Sequence, residues 1–230
     1  MSISHAWLLL SDSALPLGSF AFSSALESYV AHQPKSTPAR AQLGAFLQLT
    51  LRATACATLP FVAAAHAAPA RAALLDDELD ASTLCTVARR ASTSQGRALL
   101  SVWEKSLAPA FPAAAAVDEY RRAVRAGGAA GHFGVAWGVV TAAAGLRVDD
   151  ACYVFMFNHC KAVLSAGVRL GLVGPYQAQA LLAQEATRAW VEAAVAEGRA
   201  RPVAEVGQTA PVLDVYQGRH ELLYSRVFNS

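Results

Sequence analysis

An all-α fold is predicted, and two observations predict it. Helix start and stop signals recur along the whole chain, each followed by apolar residues at helical spacing. Strand signals are nearly absent: there is no run of alternating β-branched residues and no Asn-Gly or Asp-Gly hairpin pair. No internal repeat and no dividing linker is visible. The reading is therefore a single helical domain over residues 1–230, with about eight to ten helices and less regular ends at 1–19 and 200–230.

The elements follow in order. Ser36-Thr37-Pro38 places a capping hydroxyl before a proline at a first helical position, and Leu43, Phe46, Leu47 and Leu51 continue at helical spacing. Pro60 and Pro69 sit at helix starts. Asp76-Asp77-Glu78 is expected to put acid into the first turn of a segment ending at Arg89-Arg90, where the helix dipole favours cations. Asp118-Glu119 followed by Arg121, Arg122 and Arg125 repeats that polarity. Asp149-Asp150 opens a helix carrying Tyr153, Phe155, Met156 and Phe157. Gly174-Pro175 opens one running through Leu181, Leu182, Trp190 and Val191 toward Gly198.

The composition bounds the function. Hydrophobic residues make up 54% of the chain and charged residues only 16%, against roughly 25% in an average soluble protein. A surface this short of charge favours a stable partner or self-association. The formal net charge of +2 gives no electrostatic case for nucleic acid. Cys56, Cys85, Cys152 and Cys160 show no CxxC spacing, so free thiols in a reduced, cytoplasmic setting are expected. Met1 to Leu10 carries no Lys or Arg, and no cleavable leader is expected. The uncharged run Ala126 to Leu146 is long enough to span a bilayer, yet it is mostly Gly and Ala and contains His132. A buried soluble helix is expected there, and no membrane partner.

Chemistry-bearing motifs are scarce. Gly127 to Gly134 lacks the Lys-Ser/Thr ending of a phosphate loop. Glycine acts sterically in the better reading: Gly134 and Gly138, flanked by Gly131, leave a helix face bare for close approach of another helix. Cys152, His159 and Cys160 share one predicted helix, but the two thiols lie roughly 12 Å apart along its axis and cannot close one metal site. No nucleophile elbow and no His-Glu-x-x-His pair occurs. No catalytic and no metal-ligating residue is assigned. A small hydrolase or transferase built from dispersed residues stays open as the alternative.

The two ends differ from simple core sequence. Asp12 to Glu27 turns at Pro16 and Gly18 and carries Phe20 and Phe22. From Pro211 onward, Tyr216, Leu222, Leu223, Tyr224 and Phe228 alternate with Arg219, His220, Glu221 and Arg226. Tyr and Arg are enriched at binding hot spots. A segment ordered by a partner and a tail folded back on its own domain both fit this pattern.

Five blocks resemble the UreF family. They are Asp12 to Glu27, Arg89 to Leu100, Gly131-His132-Phe133-Gly134-Val135-Ala136-Trp137-Gly138, Leu164 to Leu170 with Gly174 to Gln179, and His220 to Ser230. The chain departs at Ser24-Ala25, where many members have glycines, and at Asn229, where many have a basic residue. The resemblance implies an all-α, homodimeric, non-enzymatic scaffold. It implies a complex with UreD (UreH in some species) that recruits the GTPase UreG and delivers nickel to apo-urease. Nickel is then handled by the assembly and not held tightly by this chain. The resemblance assigns partner contact to the end segments, with Asp12, Phe20, Phe22, Glu27, His220, Glu221, Tyr224, Arg226 and Phe228 as candidates.

Overall fold

The computed structural model describes residues 5–34, 36–111 and 115–229. Twelve α-helices and no strand occur among them: α1 His5–Ser11, α2 Leu26–Ala31, α3 Ala39–Ala57, α4 Leu59–Ala67, α5 Ala72–Ser82, α6 Thr86–Val102, α7 Ala115–Arg125, α8 Phe133–Ala143, α9 Val148–Arg169, α10 Pro175–Leu182, α11 Glu185–Ala200 and α12 Pro211–Arg219. The all-α class is shown. The helix number rises above eight to ten because α1, α2, α4, α10 and α12 are short, at six to nine residues each.

Helix α8 is the centre. Gly134 to Thr141 are all buried, and α8 packs most extensively against α4 and then α6. The uncharged run is thus a buried helix preceded by a turn. On the other side, α3, α9 and α11 pack on one another. Helix α1 and a 3-10 turn at Ser19–Ala21 lie on α9, and α12 rests against α2 and α6. Ala6, Phe46, Phe61, Trp103, Trp137, Met156 and Phe228 belong to one buried apolar cluster. The stretch Ala39–Ala67 is long and apolar enough to cross a membrane by length and composition. However, 61% of its most apolar window is buried inside the fold.

Small residues let these helices approach. A Cβ on Gly138 would lie 2.5 Å from the Val62 carbonyl oxygen, and one on Gly134 would lie 2.8 Å from Thr58 Cγ2. Gly131 lies before α8, in a left-handed turn with φ 85°, so it serves the entry to the helix and not its packing face.

Further sequence expectations need correction. Asp76-Asp77-Glu78 does not start a helix: α5 begins at Ala72, and Asp76 is fully buried in mid-helix. Its carboxylate accepts the backbone N–H of Ala130 (2.5 Å), Gly131 (2.9 Å) and His132 (2.7 Å), and the Tyr120 hydroxyl (2.7 Å). The acid fixes the turn into α8. Next, the segment expected to end at Arg89-Arg90 stops at Ser82, and Arg89 lies in the first turn of α6. Arg89 still meets helix-end carbonyls, because its guanidinium reaches back to Asp80 O and Thr83 O, both at 2.9 Å. Lastly, the helix from Pro175 does not run through to Gly198. It breaks at Ala183-Gln184, where the Thr187 hydroxyl donates to the freed Leu181 carbonyl at 2.7 Å. Pro38 is an N-cap and not a first helical residue, with no side-chain cap bond.

Candidate functional site

The two ends of the chain meet. Gly18, at φ 69°, begins the 3-10 turn Ser19–Ala21. Ser24 and Ala25 then take left-handed φ values of 52° and 74°. This turn starts α2 at Leu26 and aims Glu27 inward, leaving it 8% exposed. From the other end, α12 leads into a 3-10 turn at His220–Leu222, and the last residues run back beside α2.

Glu27 is the hub of this closure. Its Oε2 is 2.8 Å from His220 Nε2 and accepts the Phe228 N–H at 3.1 Å, while Oε1 accepts the Val227 N–H at 2.7 Å. His220 is fully buried, and its Nδ1 has no partner. The Asn229 N–H donates to the Ala21 carbonyl at 2.8 Å. Two arginines brace the closure from outside. Arg169 stands 4.2 Å from the centre of the buried Phe228 ring and also donates to the Phe20 carbonyl. Partial burial pulls its guanidinium below the usual arginine range. Arg90 pairs with Glu221 at 2.7 Å.

The candidate end residues therefore divide. Glu27, His220 and Phe228 face inward and bind one another. Phe20 (73% exposed), Tyr224 (fully exposed) and Arg226 face outward, joined by Leu222 and Val227. Asp12 is exposed and accepts the Ala14 N–H at 2.9 Å, Glu221 is exposed beside Arg90, and Phe22 is half-buried. Sequence reasoning took Arg90 only as a helix-end cation and did not single out Arg169. Both lie within blocks that carried the resemblance, but no local spacing connects either to the tail.

A second feature is an open pocket of about 210 Å³ with mixed polar and apolar walls, between α3, α6, α9, α12 and the start of α8. On its wall, Ser92 Oγ lies 3.0 Å from His132 Nδ1, and His132 Nε2 lies 2.9 Å from Asp80 Oδ1. The order resembles a hydrolytic triad. Yet Ser92 Oγ also accepts the Phe133 N–H at 3.2 Å, and His132 is completely buried. The chain of bonds thus caps the N-terminus of α8. Its residues are spent on holding one helix to another.

Metal chemistry finds little support in the thiols. Burial pushes the Cys152 and Cys160 thiols up to about 12, which keeps them protonated and poor ligands at neutral pH. Among the described residues, no group of three or more His, Cys, Asp or Glu is placed to hold a metal ion.

Comparison with known proteins agrees with this architecture. The UreF family model matches residues 39–186. A urease accessory protein UreF-like protein of Schizosaccharomyces pombe is 39% identical over 229 residues, covering 98% of this chain and 97% of its own length. Urease accessory protein F of Oryza sativa subsp. indica is 34% identical, covering 99% and 85%. Urease accessory protein UreF of Paenarthrobacter aurescens is 31% identical, covering 96% and 95%. With a family model matching well over half of the chain and such relatives aligned along nearly all of it, this chain belongs to the UreF family of urease accessory proteins.

Proposed function

We propose that this chain is a non-enzymatic scaffold for delivering nickel to apo-urease, docking a UreD/UreH homologue through its joined ends and presenting the GTPase UreG to the assembly. The observation that carries this reading is the exposure of Phe20, Leu222, Tyr224 and Val227 on the two end segments that the buried Glu27 hub ties together. Exposed aromatic and aliphatic groups on a rigid base need no ordering when a partner covers them, so less affinity is lost on binding. The charge-poor composition supports a chain that works inside an assembly, as a cytoplasmic homodimer. Nickel is cargo of the assembled complex.

The test is a pull-down of the UreD/UreH homologue paired with melting curves. Deleting Leu222 to Ser230 is a blunt instrument, because it strips two donors from Glu27 and removes the buried Phe228. Phe20→Ala, Tyr224→Ala and Arg226→Ala touch only exposed groups. Each is expected to leave the melting temperature unchanged and to weaken binding by about 2 kcal/mol where it removes an anchor. Full binding by the combined Phe20→Ala/Tyr224→Ala variant would overturn the docking surface.

A further inference from the structure

Arg169 is an arginine without an acid. Arg90, Arg147 and Arg199 each meet a carboxylate, at 2.7, 3.0 and 2.7 Å. Arg169 meets none among the described residues. Its one hydrogen bond there goes from Nη1 to the Phe20 carbonyl, and its guanidinium carbon stands 4.2 Å from the centre of the Phe228 ring. Partial burial works against the charge, and no anion in the fold offsets it. Two weaker effects keep it there. Arg169 is the last residue of α9, where the helix dipole favours a cation, and the face of an aromatic ring attracts one. Neither effect uses up the remaining N–H groups.

The geometry says what those groups can do. A guanidinium is planar, and its donors lie along its edge. A ring against its face leaves that edge open. The Phe20 carbonyl takes one position on the edge, through Nη1, and the rest is unbonded on an exposed side chain. A free guanidinium edge matches the two oxygens of a carboxylate. The ring and the carbonyl come from opposite ends of the chain, so the plane is set only when the ends are joined. A donor fork held in advance loses less on binding than a free side chain does. Beside it, the Phe20 ring is 73% exposed. The ligand that fits is a carboxylate next to an apolar side chain, on a protein surface. A net charge of +2 provides no broad cationic field for a polyanion.

We propose that Arg169 is the residue of the joined ends that takes a carboxylate of the docking partner, with the Phe228 ring and the Phe20 carbonyl fixing its plane. This rests on the docking surface proposed above and adds the group that reads the partner's charge. Phe20 supplies apolar contact, and Arg169 supplies orientation.

The test measures binding of the UreD/UreH homologue to the full chain over a series of salt concentrations. Arg169→Gln is expected to weaken binding roughly tenfold at low salt and to flatten the salt dependence, because screening acts on the lost pair. Arg169→Lys keeps the charge without the planar fork, so it is expected to keep the salt dependence and recover only part of the affinity. A loss in Arg169→Gln that is equal at every salt concentration would assign the side chain to holding the tail, and would overturn the proposal. Natural affinity in Arg169→Gln, or full recovery in Arg169→Lys, would overturn it too. Those results leave the docking surface standing if Phe20→Ala/Tyr224→Ala still binds weakly. Full binding by that double variant removes the surface itself.

Discussion

Ser24 and Ala25 hold left-handed backbone without being glycine. That conformation costs an L-residue roughly 1–2 kcal/mol through its Cβ. The positions where many UreF members carry glycine are thus the ones that must turn this way to aim Glu27. Ser24→Gly is expected to raise stability by about 1 kcal/mol and the melting temperature by about 2–4 °C for a chain of this size. An unchanged or lower melting temperature would show that the serine is compensated. Glu27 carries the opposite expectation. Glu27→Ala leaves two backbone N–H groups and His220 unpaired in a buried site and should cost about 2–4 kcal/mol in chemical denaturation, with Glu27→Gln costing less because one acceptor survives. His159 sets an acid limit. Its folded pKa of about 4 lies below the ordinary value of 6.5, so between those values the unfolded chain binds more protons. Stability contributed by neutral His159 is complete above about pH 6.5 and is lost as pH falls toward 4. Denaturation midpoints measured across that window should slope less in His159→Gln.

At the scale of elements, close approach is the controlling variable. Gly138→Ala would force a Cβ to within 2.5 Å of the Val62 carbonyl and should destabilise by roughly 1–3 kcal/mol. Gly44→Ala meets nothing within 4 Å in the middle of α3 and should stabilise by roughly 0.5–1 kcal/mol. The pair, compared by melting, separates packing from propensity. The same distinction explains what the sequence revealed. Helices opened by local chemistry were legible: Asp118 in α7, Asp149-Asp150 in α9 and Gly174-Pro175 in α10 all start where their residues indicate. Asp76 misled because a carboxylate used for long-range hydrogen bonds looks like one used for capping. The breaks at Thr83–Cys85 and Ala183-Gln184 contain neither glycine nor proline, and side chains from neighbouring turns hold them. The end segments were legible as unusual. Their division into inward and outward residues was not, because the partner of Glu27 lies 200 positions away and no local period encodes such a pairing.

For the whole molecule, the bond between Val227 and Glu27 has a consequence in the order of synthesis. A chain that emerges N-terminus first can build α3 to α11 from residues already available, but the Glu27 carboxylate waits for the final stretch. Until residues 220–228 arrive, a carboxylate that the fold buries stays in water without its His220, Val227 and Phe228 partners. A chain that stops before Val227 therefore lacks both backbone donors to Glu27 and the buried Phe228 ring. The closure thus couples the first and last described segments of the fold, so that neither takes its final form without the other.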